Sequence, residues 1–349
     1  MSKSSKNKAV HNVDDDVQKM QNKEVLAECQ FNYKLALKEI ASLKKDLFLC
    51  KAVEGWNVCP EKLEPLAFKK DKEAMPILLV GDWHADELVL PESINNLNSY
   101  NIKIAEERAK RLFQSAMLII NMYRRESKIP RIVVSLLGDF ISGWIHEDLA
   151  TASQMIPTEA ILKVFEILIS GINFLVDEGE FKEIVVVCSS GNHGRITKKK
   201  QYKRSAVKSY EWLLYSFLAK HYAMDHKRNV KFKLSEGYFN YLNVFGKDLR
   251  FHHGDMIKYN GGVGGIHIPL KKAISQWNQA RPAFLDCMGH WHNSMDSRNY
   301  IVNGSLIGYN EYAEGIKADY DEPKQSIFLL HPEYGKTGVF NLMIDKKGL

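Results

Sequence analysis

The sequence predicts an α/β domain preceded by a helical appendage. Three observations carry that expectation. From Met75 onward, short apolar runs alternate with longer helical stretches. Five of those runs break at their carboxyl ends into glycine, aspartate, asparagine and histidine. Ahead of them lies a segment whose apolar residues recur at helical spacing. Strands alternating with helices point to a sheet covered on both faces.

Composition sets the outer bounds. Of 349 residues, 45% are hydrophobic and 26% charged, which excludes disordered, collagen-like and low-complexity chains. Lys+Arg 48 against Asp+Glu 42 leaves +6, a mild excess that permits local basic patches. The five cysteines (Cys29, Cys50, Cys59, Cys188, Cys287) are odd in number and form no CxxC, so neither a disulfide framework nor a zinc ribbon is indicated. The first residues are polar rather than signal-like, and no apolar run approaches the ~18 residues of a membrane span. The expectation is a cytoplasmic protein with no membrane partner.

Taken in order, residues 1–19 carry few apolar side chains and read as a mobile tail. From Met20 to Lys51, Leu26, Cys29, Tyr33, Ala36, Ile40, Leu43, Leu47 and Cys50 recur at alternating spacings of three and four. That is the seam of an amphipathic helix or short coiled coil. It either docks on the chain's own globular part or self-associates through the 20–51 helix. Residues 52–75, with Pro60 and Pro65, read as a connector, so an appendage over 20–75 precedes a main domain over 76–349. Strands are predicted at Ile77–Val80, Ile132–Leu137, Ile184–Cys188, Asp248–Phe251 and Phe284–Met288. Helices are predicted at Ile102–Arg125, Thr158–Glu178, Ser205–His226 and Pro269–Gln279. A strand-rich end follows at Tyr300–Leu306, Ser326–Leu330 and Val339–Ile344.

The strand ends share one chemistry. The five runs lead in turn into Gly81-Asp82-Trp83-His84, Gly138-Asp139, Gly191-Asn192-His193, His252-His253-Gly254-Asp255 and Gly289-His290-Trp291-His292. Ligand sites in α/β sheets gather at carboxyl ends of strands, so five such ends can converge. Imidazole and carboxylate without thiolate suit catalytic cations better than structural zinc. Along an extended strand, residues two apart face the same way, which would aim Asp82 with His84, and His290 with His292, at one cluster. One carboxylate can bridge two cations ~3.5–4 Å apart and polarise a shared hydroxide, and Asp139 is the natural candidate. The glycines would permit tight turns and close approach of a phosphate.

This ordered set, DxH, GD, GNH, HG and GHxH over residues 76–306, resembles the calcineurin-like metallophosphoesterases. The resemblance implies two facing mixed β-sheets flanked by helices, a four-layer sandwich. It also implies two divalent ions, manganese first and iron, zinc or magnesium as alternatives. Asp82, His84 and His292 would hold one ion, Asn192, His253 and His290 the other, with Asp139 between them. His193 would face the scissile phosphate and act on the leaving oxygen. His253 is preferred to His252 because the family's histidine directly precedes glycine, and alternate strand residues face opposite sides. Asn303-Gly304-Ser305 matches a Gly-Ser turn common in the family after GHxH. Two departures stand out: Gly194-Arg195 replaces the usual acid after GNH, and Asp139 is followed by Phe140-Ile141-Ser142 without a further acid or amide. The first puts the orientation of His193 in question and leaves Arg195 as a candidate phosphate contact.

The surroundings bear on substrate. Between Arg195 and Lys208 lie seven basic residues and no acid. That density suits a polyanionic backbone, so Arg195, Lys198, Lys199 and Lys200 are candidate substrate contacts. The competing reading is a solvated basic loop. A second group (Arg108, Lys110, Arg111, Arg124, Arg125, Lys128 and Arg131) reads mostly as surface charge along a helix. Trp83 and Trp291 either pack beneath the site or stack bases at its rim. The glycine-rich Asn260–Gly265 stretch is either a phosphate cradle or a flexible loop, and His146 and Glu147 are further candidates for substrate contact. The expected function is a metal-dependent phosphodiesterase acting on DNA, similar to the family's DNA-repair exonuclease branch and to its bacteriophage members, the latter implying host cytoplasm. The alternatives are a phosphomonoesterase or small-nucleotide phosphodiesterase, and a non-catalytic metal-binding scaffold.

Overall fold

A computed structural model describes residues 4–53, 72–145, 147–225, 228–259 and 265–345. The chain divides into two compact units, Met1–Ala67 and Phe68–Leu349. The first contains one long helix, α1 (Ser4–Val53). It starts well before Met20, so most of the expected tail is helical. Within it, Val13, Val17 and Met20 recur at spacings of four and three, and Lys19 lies near Asp16 one turn away. Most of the expected connector lies outside the described residues.

The second unit holds the predicted sandwich. Its first sheet contains β1 (Met75–Val80), β2 (Arg131–Leu136), β3 (Glu183–Cys188), β4 (Val230–Leu234), β10 (Lys324–His331) and β11 (Gly335–Met343), in the order β11-β10-β1-β2-β3-β4. Strands β1 to β4 run parallel, while β10 is antiparallel to both β1 and β11. The second sheet contains β5 (Asn240–Val244), β6 (Lys247–Phe251), β7 (Leu285–Met288), β8 (Met295–Ser297) and β9 (Tyr300–Val302), in the order β5-β6-β7-β9-β8. Here β6, β7 and β9 are parallel.

Alternation along the strands builds the layers. Ile77, Leu79, Val133 and Val187 face Leu249, Phe251, Leu285 and Cys287, and this apolar seam joins the sheets. The intervening residues, among them Leu78, Val80, Val134 and Val186, turn outward onto α2 (Ile102–Tyr123), α4 (Pro157–Glu178) and α5 (Tyr210–Ala223). On the far side, Met288, Tyr300 and Val302 pack against Leu270 and Ile274 of α6 (His267–Ala280). All six residues of β1 are buried, as expected of a strand covered on both faces.

Two short helices, α3 (Glu147–Ala152) and α7 (Glu311–Gly315), complete the set. Strands β4, β5 and β8 carry no strong sequence signal. Each lies at a sheet edge, where polar residues such as Lys231, Lys233, Asn243 and Asp296 are tolerated on the open side. Among the described residues, no helix is long and apolar enough to cross a membrane.

The topology places the site. Strands β1, β2 and β3 are parallel neighbours in one sheet, and β6 and β7 are parallel neighbours in the other. All five run straight into the histidine- and aspartate-bearing turns.

Candidate metal centre

Two groups of potential ligands form at these turns. Asp82, His84 and His292 make one, and Asp139, His253 and His290 make the other; within each, the donor atoms lie within 4.8 Å of one another. Asn192 is beside the second group, its Oδ1 3.2 Å from His253 Nε2. The ring centroids of His84 and His292 are 5.0 Å apart, and those of His253 and His290 also 5.0 Å.

The expected geometry of Asp82 with His84, and of His290 with His292, requires correction. None of these residues belongs to an extended strand: β1 ends at Val80 and β7 at Met288. Asp82, His84, Asp139, His290 and His292 instead have φ of 52°, 47°, 53°, 73° and 57°, in the left-handed region that non-glycine residues rarely occupy. Such backbone is held only where its surroundings enforce it, and it concentrates at functional sites. Here the enforcement comes from the neighbouring turn. The N–H groups of Asp82, Trp83, His84 and Ala85 donate to the carbonyls of Gly138, Asp139, Asp139 and Phe140 at 2.9, 2.8, 3.1 and 2.9 Å.

Gly138, Gly191 and Gly289 serve this interlock. A Cβ on Gly191 would sit 2.1 Å from Asp139 Oδ1, and one on Gly289 2.3 Å from Asp82 Oδ2. Gly138, at φ +88°, would place a Cβ 2.2 Å from the Gly191 nitrogen. Each glycine lets one ligand turn touch the next.

Hydrogen bonds fix which nitrogen of each ring faces the cluster. His253 Nδ1 donates to the Leu137 carbonyl at 2.8 Å, so its Nε2 points to Asp139 Oδ2, also 2.8 Å away. His84 Nδ1 lies 2.9 Å from Ser142 Oγ, which donates to Glu87 Oε2 at 2.8 Å; Asn310 caps the other oxygen of Glu87. His84 is thereby left with a buried Nε2 that has no hydrogen-bond partner. A buried imidazole nitrogen oriented by its other nitrogen, yet unpartnered, is what a metal ligand presents. Both oxygens of Asp82 accept from the His290 N–H at 3.0 Å.

Electrostatics point the same way. Burial, reinforced by neighbouring histidines, holds His84 well below its ordinary pKa and lowers His290 to about 3 and His292 to about 4. These rings are neutral at physiological pH, with lone pairs available. Burial pushes Asp82 well up, and the nearby Asp139 charge adds to that push. For Asp139, burial is outweighed by the imidazoles of His253 and His193, which hold it well below the usual carboxylate range. In turn, the Asp139 charge overcomes burial at His253 and raises it to about 10. The neutral rings of His84, His290 and His292, with the buried carboxyls of Asp82 and Asp139, offer mixed nitrogen and oxygen donors that fit a pair of divalent ions, and an ion entering the second group would displace the proton that His253 shares with Asp139.

His193 stands at the edge of this cluster, its ring centroid 4.8 Å from that of His84. Its backbone N–H donates to Asp139 Oδ1 at 2.7 Å, and its Nδ1 lies 3.0 Å from the Ser142 carbonyl. The missing acid after GNH therefore does not leave the ring unsupported. A carboxylate still stands at this turn, supplied from α5: Glu211 accepts from Gly191 N–H at 2.6 Å and Phe140 N–H at 2.7 Å. Burial and the Asp139 charge raise Glu211 to about 8. Nothing local in the sequence marks it, since it is a single acid at the start of a helix. Asp86, which accepts from the Ser142 and Gly143 N–H groups, and Glu87 follow DxH after Ala85, and no motif marks them.

The other candidates divide. His252 turns away from His253 toward Asp286, which is paired with the buried Arg250. Arg195 donates to the carbonyls of Asn192 and Thr197, and Lys200 pairs with Asp255 at 2.5 Å. Both line a cleft with Asn192 and Tyr238. Lys198 and Lys199 are exposed beyond it. Trp83 is fully buried, edge-on to Phe140, whereas Trp291 is half-buried beside His290. Asn303 and Ser305 are buried, and the Asn303 side chain accepts from the Ser326 N–H. Glu147 is exposed at the start of α3; His146 and residues 260–264 lie outside the described residues. The reading of Arg108 as surface charge is corrected: it is buried and donates to the carbonyls of Leu306 and Ile307. Its α2 position falls on the apolar stripe, where the guanidinium gains loop carbonyls as acceptors.

No protein-family model matches the chain, and no curated protein matches it. Among solved structures, it is similar to zinc-bound Vps29 from Entamoeba histolytica, at 9% identity and TM-score 0.29, over 77% of this chain and 99% of that one. It is also similar to a dimetal phosphatase from Danio rerio, at 12% identity and TM-score 0.34, over 78% and 99% of the two chains. A predicted phosphoesterase from Streptococcus pneumoniae matches at 10% identity and TM-score 0.30, over 77% and 98%. The chemistry of the site rests on the residues themselves.

Proposed function

We propose that the chain is a dinuclear-metal phosphoester hydrolase of the calcineurin-like metallophosphoesterase type, acting on phosphodiester bonds of DNA. The observation that carries the first part is the pairing of two three-residue ligand groups around Asp82 and Asp139, with the orphaned Nε2 of His84 aimed among them. Asp82, His84 and His292 would hold one ion, and His253, His290 and Asn192 the other, with Asp139 shared. Two bound divalent ions supply Lewis acidity toward a phosphoryl oxygen and a nucleophile at neutral pH. The chain's own residues supply the rest. With Nδ1 committed to the Ser142 carbonyl, His193 keeps Nε2 for the leaving oxygen, where a positioned imidazole delivers a proton. Glu211 fixes the Asp139 and Asn192 turns against each other, so the ligands are set before substrate arrives.

The basic segment supports a nucleic-acid substrate. Lys198, Lys199, Lys203 and Arg204 are exposed on the segment that begins at the ligand Asn192. Manganese-dependent degradation of linear DNA, abolished in Asp139→Asn and His193→Ala, is the expected result. Replacing Lys198, Lys199 and Lys200 with alanine should lower the salt slope of DNA binding by up to ~3, and an unchanged slope would remove the substrate assignment. One observation favours a smaller substrate: the basic groups nearest the ligands, on Arg195 and Lys200, already hold internal partners. Cleavage of bis-p-nitrophenyl phosphate without attack on DNA or RNA would select a small-nucleotide phosphodiesterase.

A further inference from the structure

The helix α1 carries an apolar seam that the catalytic reading leaves unused. Leu26, Tyr33, Ile40 and Leu47 fall seven residues apart, and Cys29, Ala36, Leu43 and Cys50 occupy the alternate positions between them. In heptad terms the first set is a and the second is d. Leu26, Tyr33, Ile40, Leu43 and Leu47 are each 48% to 65% exposed. A helix of this length draws most of its stability in water from packing an apolar face, so the seam calls for an occupant.

The width of the seam identifies the kind of occupant. Helices that pack on the sheet in this protein bury wide stripes: α2 buries Ala105, Arg108, Ala109, Leu112, Phe113 and Ala116, at spacings of three, one, three, one and three. The α1 seam instead advances by three and four, one residue at a time, with a strict period of 3.5. That narrow row is the pattern of a supercoiled helix pair. Other apolar residues of α1, such as Phe31, Leu35 and Leu49, make no continuous second row, because Lys38, Ser42 and Lys45 interrupt it.

Charge identifies the occupant and its direction. Glu39 and Asp46 fall at g positions, Lys44 and Lys51 at e positions. In a parallel pair, each g residue meets the e residue five places on in the partner, giving Glu39 with Lys44 and Asp46 with Lys51, twice each by symmetry. An antiparallel pair would set g against g and e against e, placing acids beside acids and lysines beside lysines. These charges remain hydrated in a two-stranded coil, whereas larger bundles draw e and g inward.

We infer that residues 26–51 of α1 form a parallel, in-register, two-stranded coiled coil with a second copy of this chain. The inference does not depend on the catalytic reading. It brings two metal centres into each assembly, and it stacks Cys29 against Cys29 and Cys50 against Cys50 in shared d layers.

Sedimentation of the full-length protein under reducing conditions at micromolar concentration should give a dimer. Glu39→Lys with Asp46→Lys should raise the dimer Kd roughly 10- to 100-fold, and adding Lys44→Glu with Lys51→Glu should restore it. The substituted positions are exposed, and far-UV circular dichroism is the check that the helix persists. Two further variants separate the thiols, Cys50→Ala with Cys59→Ala and Cys29→Ala with Cys59→Ala. Treated with diamide, which takes two electrons and two protons from a thiol pair, each should give a disulfide-linked dimer. A monomer, a larger oligomer, a dimer indifferent to the charge reversals, or cross-linking only when Cys29 and Cys50 are both present would overturn the proposal.

Discussion

Replacing Gly191 with alanine tests whether the centre depends on ligand turns touching one another. The added Cβ would lie 2.1 Å from Asp139 Oδ1, 2.4 Å from the Asp139 nitrogen and 2.7 Å from Asp139 Cγ. Ordinary contacts between such atoms begin near ~3.4 Å, so something must move by about 1 Å. The Gly191 turn is held by Glu211 and the Asp139 backbone by the β1 turn, so relieving the backbone contact must shift one of these turns, and the Asp139 carboxylate is displaced with it. Overpacking of this kind costs roughly 1–3 kcal/mol of stability, which a folded domain of this size survives. If Asp139 is the shared ligand proposed above, displacing it should lower affinity for Mn²⁺ at least ~100-fold, more than the 10- to 100-fold typical of losing an outer partner of a ligand. Isothermal titration with Mn²⁺ reads the affinity and thermal unfolding reads the stability. Gly315→Ala provides the control, since nothing lies within 4 Å of a Cβ there. If Gly191→Ala bound two equivalents of Mn²⁺ with unchanged affinity, the contact argument and the role of Asp139 would both be refuted.

Other outcomes follow from the same geometry. His193→Ala should retain full metal stoichiometry while kcat on bis-p-nitrophenyl phosphate falls by about 10²–10⁴ if the ring acts on the leaving group as proposed and does not hold the ions; loss of metal, measured by elemental analysis, would reassign it. Ser142→Ala removes the link between His84 and Glu87 and should weaken metal binding about 10- to 100-fold, with part of the loss restored by threonine. Glu211 predicts a pH dependence in metal-free protein. Its folded pKa of about 8 lies above its ordinary 4.5, so the folded state holds the proton more tightly and stability falls as pH rises from 4.5 through 8. Chemical denaturation of Glu211→Gln in chelator should show a shallower fall across that window, and an equal slope would mean that Glu211 is ionised throughout.

The sequence displayed the ligand types more clearly than the reason for their geometry. Gly-Asp, Gly-Asn-His and Gly-His-Trp-His were legible because strand periodicity stops abruptly and one chemistry begins. Their common location followed from the tendency of α/β sheets to gather ligand sites at the carboxyl ends of their strands. Glu211 was not legible: it reaches the centre from a helix, and its partners are backbone N–H groups that any residue could provide. Ser142 was read as an absence, a position lacking the expected acid, although its hydroxyl and carbonyl support His84 and His193 separately. Arg108 was hidden for a related reason, because charge on a helix looks solvated until a loop supplies acceptors. Edge strands β4, β5 and β8 were missed because an edge imposes little on composition.

The left-handed backbone shows where the extended-strand argument fails: Asp82 and His84 do fall in one group, but through a turn, while His290 and His292 fall in different groups. A strand would present Asp82 and His84 on one face but would carry the chain onward, away from Asp139. The turn instead folds the DxH backbone against the carbonyls of Gly138, Asp139 and Phe140, while Gly289 N–H joins the His253 carbonyl at 2.9 Å and Leu306 N–H joins that of Asp82 at 3.0 Å. Each ligand turn thereby satisfies the backbone groups of another, and no turn is complete alone. Strain at five positions is tolerated because these bonds exist only in that conformation. The same bonds gather the buried carboxyls of Asp82 and Asp139 before any cation arrives, so the cost of burying them falls on folding and the binding of cations relieves it. A centre assembled in this way should bind its ions more tightly than its exposure suggests, and the ions should stabilise the sandwich in return.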